Sequence, residues 1–528
     1  MHRANTATTP LDSSLVDALM SPAAFGHPVS SVELIETHIS WLILTDDYVY
    51  KIKKPITLDF LDFGDLERRR FYCEEEIRLN QPWAPDIYLD VVPIGLENGQ
   101  PRFCAAGTAI EYAVRMRRFG DEMRLDIQLD RGQLSVADMK ELGRNIAARH
   151  SAARRVEKSQ RERAIALAEE FIWDNFVALQ DFVEDAELDL LREWTSRELQ
   201  AVDQILWKRF DDGYVRDCHG DLHLANLVRL PGGITTFDCI EFNTDLRHID
   251  VVGDIAFLIM DLVARRRHDL AAHFLNRYLE CTGDYGGVRL LSLYFVYRCL
   301  VRAKVAAIRS QERESDEERE ADLVEVRRYC DMARRQTAKR APILIVMSGL
   351  SGSGKTRLSG RLMAAMPAIR IRSDLERKRM HGLREDEQSN SNIESGIYTR
   401  DASDRIYAHL FGTAEAILQS GHHAILDAAF LHEPERAKAV ALAEECQVPC
   451  VLIAVDAPVE VLRARVKRRA LKATDVSEAG PEVLEHQLAT ADPMTAGEKE
   501  IAISCDTSGE LDIDKLVARI RKQSQVRR

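Results

Sequence analysis

The chain has 528 residues, 45% apolar and 30% charged, which is enough for two to four domains each with its own core. A formal net charge of −13 without a clustered basic tail argues against a dedicated nucleic-acid binder, and ten scattered cysteines without a Cys-x-x-Cys pair read as cytosolic thiols rather than zinc ligands. No stretch approaches the roughly 18 uninterrupted apolar residues of a membrane span, and the N-terminus lacks the order of a signal peptide, so a cytoplasmic location is expected.

Residues 1–28 are a Ser/Ala/Pro-mixed extension with one short helical stretch at Ser14 to Met20. Strands follow at Ser31 to Glu36, Ser40 to Thr45 and Tyr48 to Lys53, the last two joined by an Asp46-Asp47 turn. Strand alternation puts Tyr50 and Ile52 on one side and Val49, Lys51 and Lys53 on the other. A strand lysine facing a cleft suits nucleotide phosphates; Lys51 fits best and Lys53 is the rival. The charged helix Leu66 to Gln81 carries three consecutive glutamates, of which Glu76, with Glu75 next, is placed to hold that lysine. Strands at Ile87 to Ile94 and Ala109 to Arg115 complete this region, and helices rich in Ala, Leu and Glu occupy Ser135 to Phe210.

The stretch Cys218 to Leu227, CHGDLHLANL, is followed after a Pro-Gly-Gly turn by FDCIEF with Asp238. Asp221 on a short loop suits orienting or deprotonating a hydroxyl. Asn226 and Asp238 supply the hard oxygen ligands that a Mg²⁺ bridging ATP phosphates requires. His219 braces the loop and His223 is a neighbour rather than a ligand. Asp250 and Asp254 are four apart at a helix start and read as structural, the alternative being that they cap the loop and organise the acceptor site. Arg298 and Arg302, one helical turn apart, are either an anion-binding patch or an ordinary charged face.

His219-Gly220-Asp221, Asn226 and Asp238 together resemble the signature of the aminoglycoside phosphotransferase and choline kinase group, which has the protein-kinase-like fold. The resemblance implies an α+β bilobal domain over 29–310, with a β-rich lobe at 29–116 and a helical lobe at 117–310. It also implies Asp221 as catalytic base, Asn226 and Asp238 as Mg²⁺ ligands, Lys51 on the α- and β-phosphates, and Glu76 as its tether. This chain departs from the group in having no glycine between residues 36 and 48, where a nucleotide loop is expected.

Residues 311–340, dominated by Glu, Asp and Arg, read as a long exposed helix linking two domains, with the boundary near Arg340-Ala341-Pro342. From Ile343 onward strands and helices alternate, the pattern of an α/β domain with a parallel sheet over 341–528. The apolar run Ile343 to Met347 feeds Gly349-Leu350-Ser351-Gly352-Ser353-Gly354-Lys355-Thr356, a full phosphate-binding loop in the required strand-turn-helix context. Its small residues let backbone N–H groups curl around a phosphate, Lys355 reaches the terminal phosphates, and Thr356 holds Mg²⁺. Asp374, at the carboxyl end of the next strand, is the candidate base for a phosphoryl acceptor. Asp427 ends a further strand and serves the Mg²⁺ shell or orients the acceptor. Residues 385–397 are polar and suit a substrate flap. Arg465 and Arg469, one turn apart on the helix after Pro458, suit a lid that neutralises charge during transfer.

In that order these residues resemble the small-molecule and polynucleotide P-loop kinases, a group that includes gluconate kinase, 5′-hydroxyl kinase domains and zeta-toxin-like kinases. The succession of halves resembles bacterial two-domain proteins with a phosphotransferase-like domain before a P-loop kinase domain. The expected activity is an ATP- and Mg²⁺-dependent phosphotransferase acting on a hydroxyl of a small molecule, with neither membrane nor nucleic acid as partner. A regulatory P-loop ATPase or GTPase beside a non-catalytic kinase-like scaffold, and a 5′-hydroxyl kinase of nucleic acid, are the alternatives.

Overall fold

The computed structural model describes residues 13–58, 61–105, 107–338, 341–387, 399–472 and 480–525. These pack as two compact units. The first takes in the described residues up to Leu134 together with Ala153–Phe171 and Gln204–Leu258; the second takes in Ser135–Ala152, Ile172–Asp203 and the chain from Ile259 onward.

In the first unit six strands form an antiparallel sheet: β1 (Glu33–Glu36), β2 (Ser40–Leu44), β3 (Tyr48–Lys53), β4 (Tyr88–Glu97), β5 (Gln100–Phe103) and β6 (Ala109–Arg117). Their spatial order is β1-β2-β3-β6-β4-β5. The alternation expected for β3 holds, and each face has its own cover. Tyr50 and Ile52 pack with Ile43, Val92, Ile94 and Phe103 against Val16, Leu19 and Phe25 of the N-terminal segment. On the opposite face Val114 and Met116 pack with Cys73 of the helix Leu66–Asn80. That helix starts at Asp65, whose carboxylate caps the Arg68 N–H at 2.8 Å. β1 and β2 are joined by only Thr37, His38 and Ile39, with the Thr37 hydroxyl donating to the Ser40 carbonyl at 2.9 Å. A turn this short leaves no room for a flexible glycine loop, which accounts for the missing glycines.

In the second unit a five-stranded sheet is parallel throughout: β7 (Leu344–Ser348), β8 (Ile369–Arg372), β9 (Ala424–Asp427), β10 (Cys450–Asp456) and β11 (Ala502–Asp506), ordered β8-β9-β7-β10-β11. The uninterrupted apolar run of β7 makes it the central strand, covered on both faces, and Leu344, Ile345, Val346 and Met347 are all fully buried. Each such side chain contributes about 1.5–3 kcal/mol relative to exposure. At the other end of the sheet, β8 is an edge strand whose open side is closed by a side chain. Asn276, on the helix His268–Thr282, donates to the Ala368 carbonyl at 2.9 Å and accepts from the Arg370 N–H at 2.7 Å. One amide thereby supplies the pair of hydrogen bonds that a neighbouring strand would make.

The helix Asp316–Thr337 is less exposed than its composition suggests. Val326, Tyr329, Cys330 and Ala333 are buried, and Arg309 of the helix Val288–Glu312 pairs with Asp322 and Glu325. The spacing of those four residues, i, i+3, i+4 and i+7, is an apolar stripe that the surrounding charge hides. Arg302 lies near Glu325 and over the Tyr329 ring, which makes it part of this helix pairing rather than of an anion-binding patch.

Candidate active sites

The first site is built from β3, the helix Leu66–Asn80 and the loops around residues 219 and 238. Period-two alternation sends Lys51 and Lys53 to the same face, and Glu76 receives both. Lys51 Nζ lies 2.8 Å from Glu76 Oε1, and Lys53 Nζ lies 2.8 Å from Glu76 Oε2. Lys51 also reaches Asp238 Oδ1 at 2.7 Å, while Lys53 pairs with Glu241. Burial disfavours charge on Glu76, but the two lysines overcome it and hold its carboxyl well below the usual range. Burial likewise opposes charge on Lys51, yet Asp238, Glu76 and Glu241 keep it firmly cationic. The sequence choice between Lys51 and Lys53 resolves into a division of labour: Lys51 meets the Asp238 carboxylate, whose side chain is 47% exposed, and Lys53 is enclosed between Glu76 and Glu241. Glu75 turns outward to Arg78 at 2.7 Å.

The loop that carries Asp221 is fixed from behind. Asp254 accepts the N–H groups of His219 at 3.2 Å and Gly220 at 2.9 Å. Gly220 has φ +84, and a Cβ there would lie 2.9 Å from the Leu246 carbonyl oxygen, so the position demands glycine. His219 is fully buried and its imidazole is held neutral by burial. Its Nε2 meets the Phe237 carbonyl at 2.9 Å and its Nδ1 accepts from the Asp221 N–H at 3.3 Å, which fixes the tautomer with the proton on Nε2. His223 Nε2 sits 3.3 Å from Asp221 Oδ2. Asn226 donates from Nδ2 to both the Asp221 carbonyl (3.0 Å) and Asp221 Oδ2 (2.9 Å), leaving its Oδ1 as an acceptor with no hydrogen bond among the described residues. Asp238 takes a left-handed backbone, φ +61, with its N–H donating to the Tyr88 hydroxyl at 3.0 Å. An amide oxygen and a carboxylate presented in this way fit a hard divalent cation such as Mg²⁺. Glu241 is the neighbour of this group that carried no motif signal, while Lys53 and Asp254, both noted in the sequence, prove to be in contact with it. Lys53 shares the parity of Lys51, and Glu241 stands three residues after Asp238 in the same FDCIEF stretch.

The second site is the phosphate-binding loop between β7 and the helix Lys355–Ala365. Its glycines are required by close approach. A Cβ on Gly349 would lie 2.2 Å from the Val455 carbonyl oxygen, and Gly352 and Gly354 have φ +82 and +92. Lys355 folds over the loop, its Nζ donating to the carbonyls of Gly349 (2.6 Å) and Leu350 (2.9 Å). Burial pushes its pKa down to about 8, against the fields of Asp427 and Asp374 that favour its charge. The Ser351 N–H is held by Gln487 at 2.8 Å.

Asp427 ends β9 beside this loop. Its Oδ2 accepts from the Ser359 hydroxyl at 2.8 Å, and its Oδ1 lies 3.5 Å from Thr356 Oγ1. Arg370 on β8 backs this group, donating to the Thr356 carbonyl (3.2 Å) and Ser359 Oγ (3.3 Å) while pairing with Glu280 at 2.6 Å. The hydroxyl–carboxylate pair of Thr356 and Asp427 fits a magnesium ion and its water shell. Arg465 donates to the Gly352 carbonyl at 3.2 Å and to Thr507 Oγ1 and O at 2.8 and 2.6 Å, and Thr507 in turn donates to the Ser353 carbonyl at 2.6 Å. Arg465 therefore locks the far side of the loop as well as facing the cavity. Lys355, Thr356, Asp374, Asp427, Arg465 and Arg469 all line one cavity of about 860 Å³. The suggested flap falls mostly on residues 388–397, which lie outside the described residues. Ser359, Arg370 and Glu280 carried no motif signal, because their role depends on the strand order β8-β9-β7.

A family model described as AAA domain matches residues 344–494. The chain is 29% identical over 451 residues to the uncharacterized protein Rv2004c of Mycobacterium tuberculosis (strain ATCC 25618 / H37Rv), covering 84% of this chain and 88% of the relative. Among solved structures it is similar to choline kinase from Cryptosporidium parvum Iowa II, with a TM-score of 0.36, 11% identity, and coverage of 62% of this chain and 98% of that one. It is also similar to a gluconokinase from Sinorhizobium meliloti 1021, with a TM-score of 0.25, 18% identity, and coverage of 36% of this chain and 93% of that one. The described architecture, an antiparallel sheet with helices followed by a parallel five-stranded P-loop domain, is the fold class expected from the sequence. No described helix is long and apolar enough to cross a membrane.

Proposed function

We propose that this protein is an ATP-dependent phosphotransferase whose P-loop domain, residues 341–528, moves the terminal phosphoryl group of ATP to a hydroxyl of a small cytoplasmic molecule. The observation that carries this reading is that Lys355, Thr356, Asp374, Asp427, Arg465 and Arg469 line a single cavity. An ATPase switch would share Lys355, Thr356, Asp427 and the arginines and use a carboxylate only to orient water. Asp374, at the start of the helix Ser373–Met380, faces the same space without a hydrogen bond among the described residues, a position that suits an acceptor hydroxyl.

The acceptor oxygen attacks the terminal phosphorus, forming a P–O bond as the bond from that phosphorus to the bridging oxygen breaks and ADP leaves. The acceptor's proton passes to the Asp374 carboxylate. Lys355 neutralises the terminal phosphates, and the arginine helix neutralises charge gathered on the moving group. Thr356 and Asp427 would hold Mg²⁺, which when bound offsets charge on the phosphate oxygens.

For the region 29–310 we propose a second phosphate-handling site of the phosphotransferase type. Lys51 would face the nucleotide phosphates, Asn226 and Asp238 the divalent cation, and Asp221 the acceptor. The support is the Glu76–Lys51–Asp238 chain together with the Asn226–Asp221 hydrogen bonds. The test is a screen of metabolite pools with γ-labelled ATP and Mg²⁺, using wild type, K355A, D221A and the double variant. Label transfer lost in K355A and kept in D221A assigns a product to the P-loop site; the reverse pattern assigns it to the first. ATP turnover with no labelled acceptor in any pool counts against the kinase reading.

A further inference from the structure

The cavity at the P-loop holds more cationic side chains than nucleotide phosphates require. Lys355 and Arg465 already bond to the loop itself. Bound Mg²⁺ cancels half the charge of a triphosphate, so little anionic charge remains once these two and Arg469 are counted. Yet Arg357, Arg361 and Arg372 also line the cavity, and none of the three makes a hydrogen bond or ion pair among the described residues.

Arg372 is the best placed of the three. It ends β8 directly before Ser373-Asp374, on the Asp374 side of the cavity. Burial works against its charge, while the fields of Glu280, Asp427, Asp374 and Glu385 sustain it. Three of those carboxylates are engaged elsewhere. Glu280 pairs with Arg370 at 2.6 Å, Glu385 accepts from Arg277 at 3.1 Å, and Asp427 accepts from Ser359 at 2.8 Å. Asp374, in the first turn of the next helix, is the group assigned to the acceptor's proton. A largely buried guanidinium with no bonded counter-charge is costly unless a ligand supplies one, and its planar fork matches a carboxylate or phosphate.

We propose that the acceptor is itself an anion, a small hydroxyl compound carrying a carboxylate or phosphomonoester, and that Arg372 holds that group beside Asp374. This deepens the kinase reading above and rests on it. Arg372 anchors the acceptor's charge on the β8 side while its hydroxyl points at the terminal phosphate, so neutral and cationic alcohols lack the anchor. Arg357 and Arg361, one turn apart on the P-loop helix, add to the positive field that draws such a substrate in.

The test uses the full chain with Mg·ATP and matched acceptors: glycerate and gluconate for the carboxylate, glycerophosphate for the phosphomonoester, and glycerol, glucose and choline as neutral and cationic counterparts. Binding of Mg·ATP is measured separately by calorimetry for wild type, R372A and R372K. The expected result is label transfer to an anionic member at a kcat/KM at least about tenfold above its neutral counterpart. R372A should raise KM for that acceptor on the order of tenfold to a hundredfold, with R372K intermediate and Mg·ATP affinity within about twofold of wild type. Whichever of the carboxylate and phosphomonoester members is preferred identifies the source of the charge. Preference for glycerol, glucose or choline overturns the proposal, as does labelling of no anionic member by a wild type that binds Mg·ATP. Weakened Mg·ATP binding in R372A with an unchanged acceptor KM also overturns it. A wild type that binds no Mg·ATP, or a K355A variant that labels acceptors equally well, refutes the kinase reading instead. If R372A does not fold, R372K and R372Q carry the same comparison.

Discussion

Glu280 and Arg370 form a buried ion pair, Oε1 to Nη2 2.6 Å, with side chains only 5% and 8% exposed. The other edge of the same guanidinium bonds to the Thr356 carbonyl and to Ser359, and Ser359 bonds to Asp427. A carboxylate on the helix His268–Thr282 thus sets the position of the strand arginine that backs the proposed magnesium residues.

Glu280→Gln should therefore affect both folding and magnesium use. Leaving buried Arg370 with the Asp427 carboxylate 3.9 Å away as its remaining ion-pair partner among the described residues costs about 3 kcal/mol, read as a lower urea midpoint. The magnesium concentration for half-maximal ATP turnover should rise, because Asp427 loses its brace. Glu415→Gln, on an exposed helix face, should stay within about 0.5 kcal/mol of wild type. An unchanged magnesium requirement in a folded Glu280→Gln would mean that Arg370 does not position Asp427.

Lys355 should make nucleotide binding at the P-loop pH-dependent. Its pKa without ligand is about 8 against an ordinary 10.5. Phosphates favour the cationic form, so above about pH 8 binding must take up a proton, and affinity falls by up to about tenfold per pH unit. Calorimetry at pH 9 in buffers of different ionisation enthalpy should show that uptake, and K355R, which does not titrate there, should abolish it. For the protein alone the sign is opposite. Between pH 8 and 10.5 the unfolded lysine binds more protons than the folded one, so this group's contribution to stability rises with pH.

Glu76→Gln removes the charge shared by Lys51 and Lys53. Both lysines are buried and each keeps only one carboxylate, Asp238 or Glu241. The expected loss is about 3–5 kcal/mol in urea denaturation. Glu75→Gln, which breaks only the outward pair with Arg78, should cost at most about 1 kcal/mol. Equal effects would show that Glu76 is not the shared partner of the two lysines.

Gly349→Ala places a Cβ 2.2 Å from the Val455 carbonyl oxygen, so the loop must move away from β10. Nucleotide binding at the P-loop should be lost, read by equilibrium dialysis as one fewer nucleotide bound per chain, in a protein that still folds. Gly412→Ala sits in the helix Arg400–Gln419 with nothing within 4 Å of the new Cβ. It should stabilise by about 0.5–1 kcal/mol and leave nucleotide binding unchanged.

Much of the fold was legible because local rules decide it. The pleat of β3 separates Tyr50 and Ile52 from Lys51 and Lys53, and the unbroken apolar β7 can only be a strand covered on both faces. The helix Asp316–Thr337 reads as exposed in the sequence because only two apolar turns lie inside its run of charge. Its partner, the helix Val288–Glu312, cannot be deduced from its own sequence.

The sequence by itself determined the local features: a phosphate-loop pattern with its glycines, lysine and threonine at fixed spacing, and the residues Asp221, Asn226 and Asp238 on adjoining loops. Backbone geometry within a few residues sets those features, so they are written locally. Only the tertiary structure decided which distant groups serve them. Asn276 closes the edge of β8, Glu280 holds Arg370, and Glu241 closes on Lys53. These are meetings of charges and hydrogen-bonding groups across 90 to 188 residues of chain, and only the packing of helix on sheet brings them together.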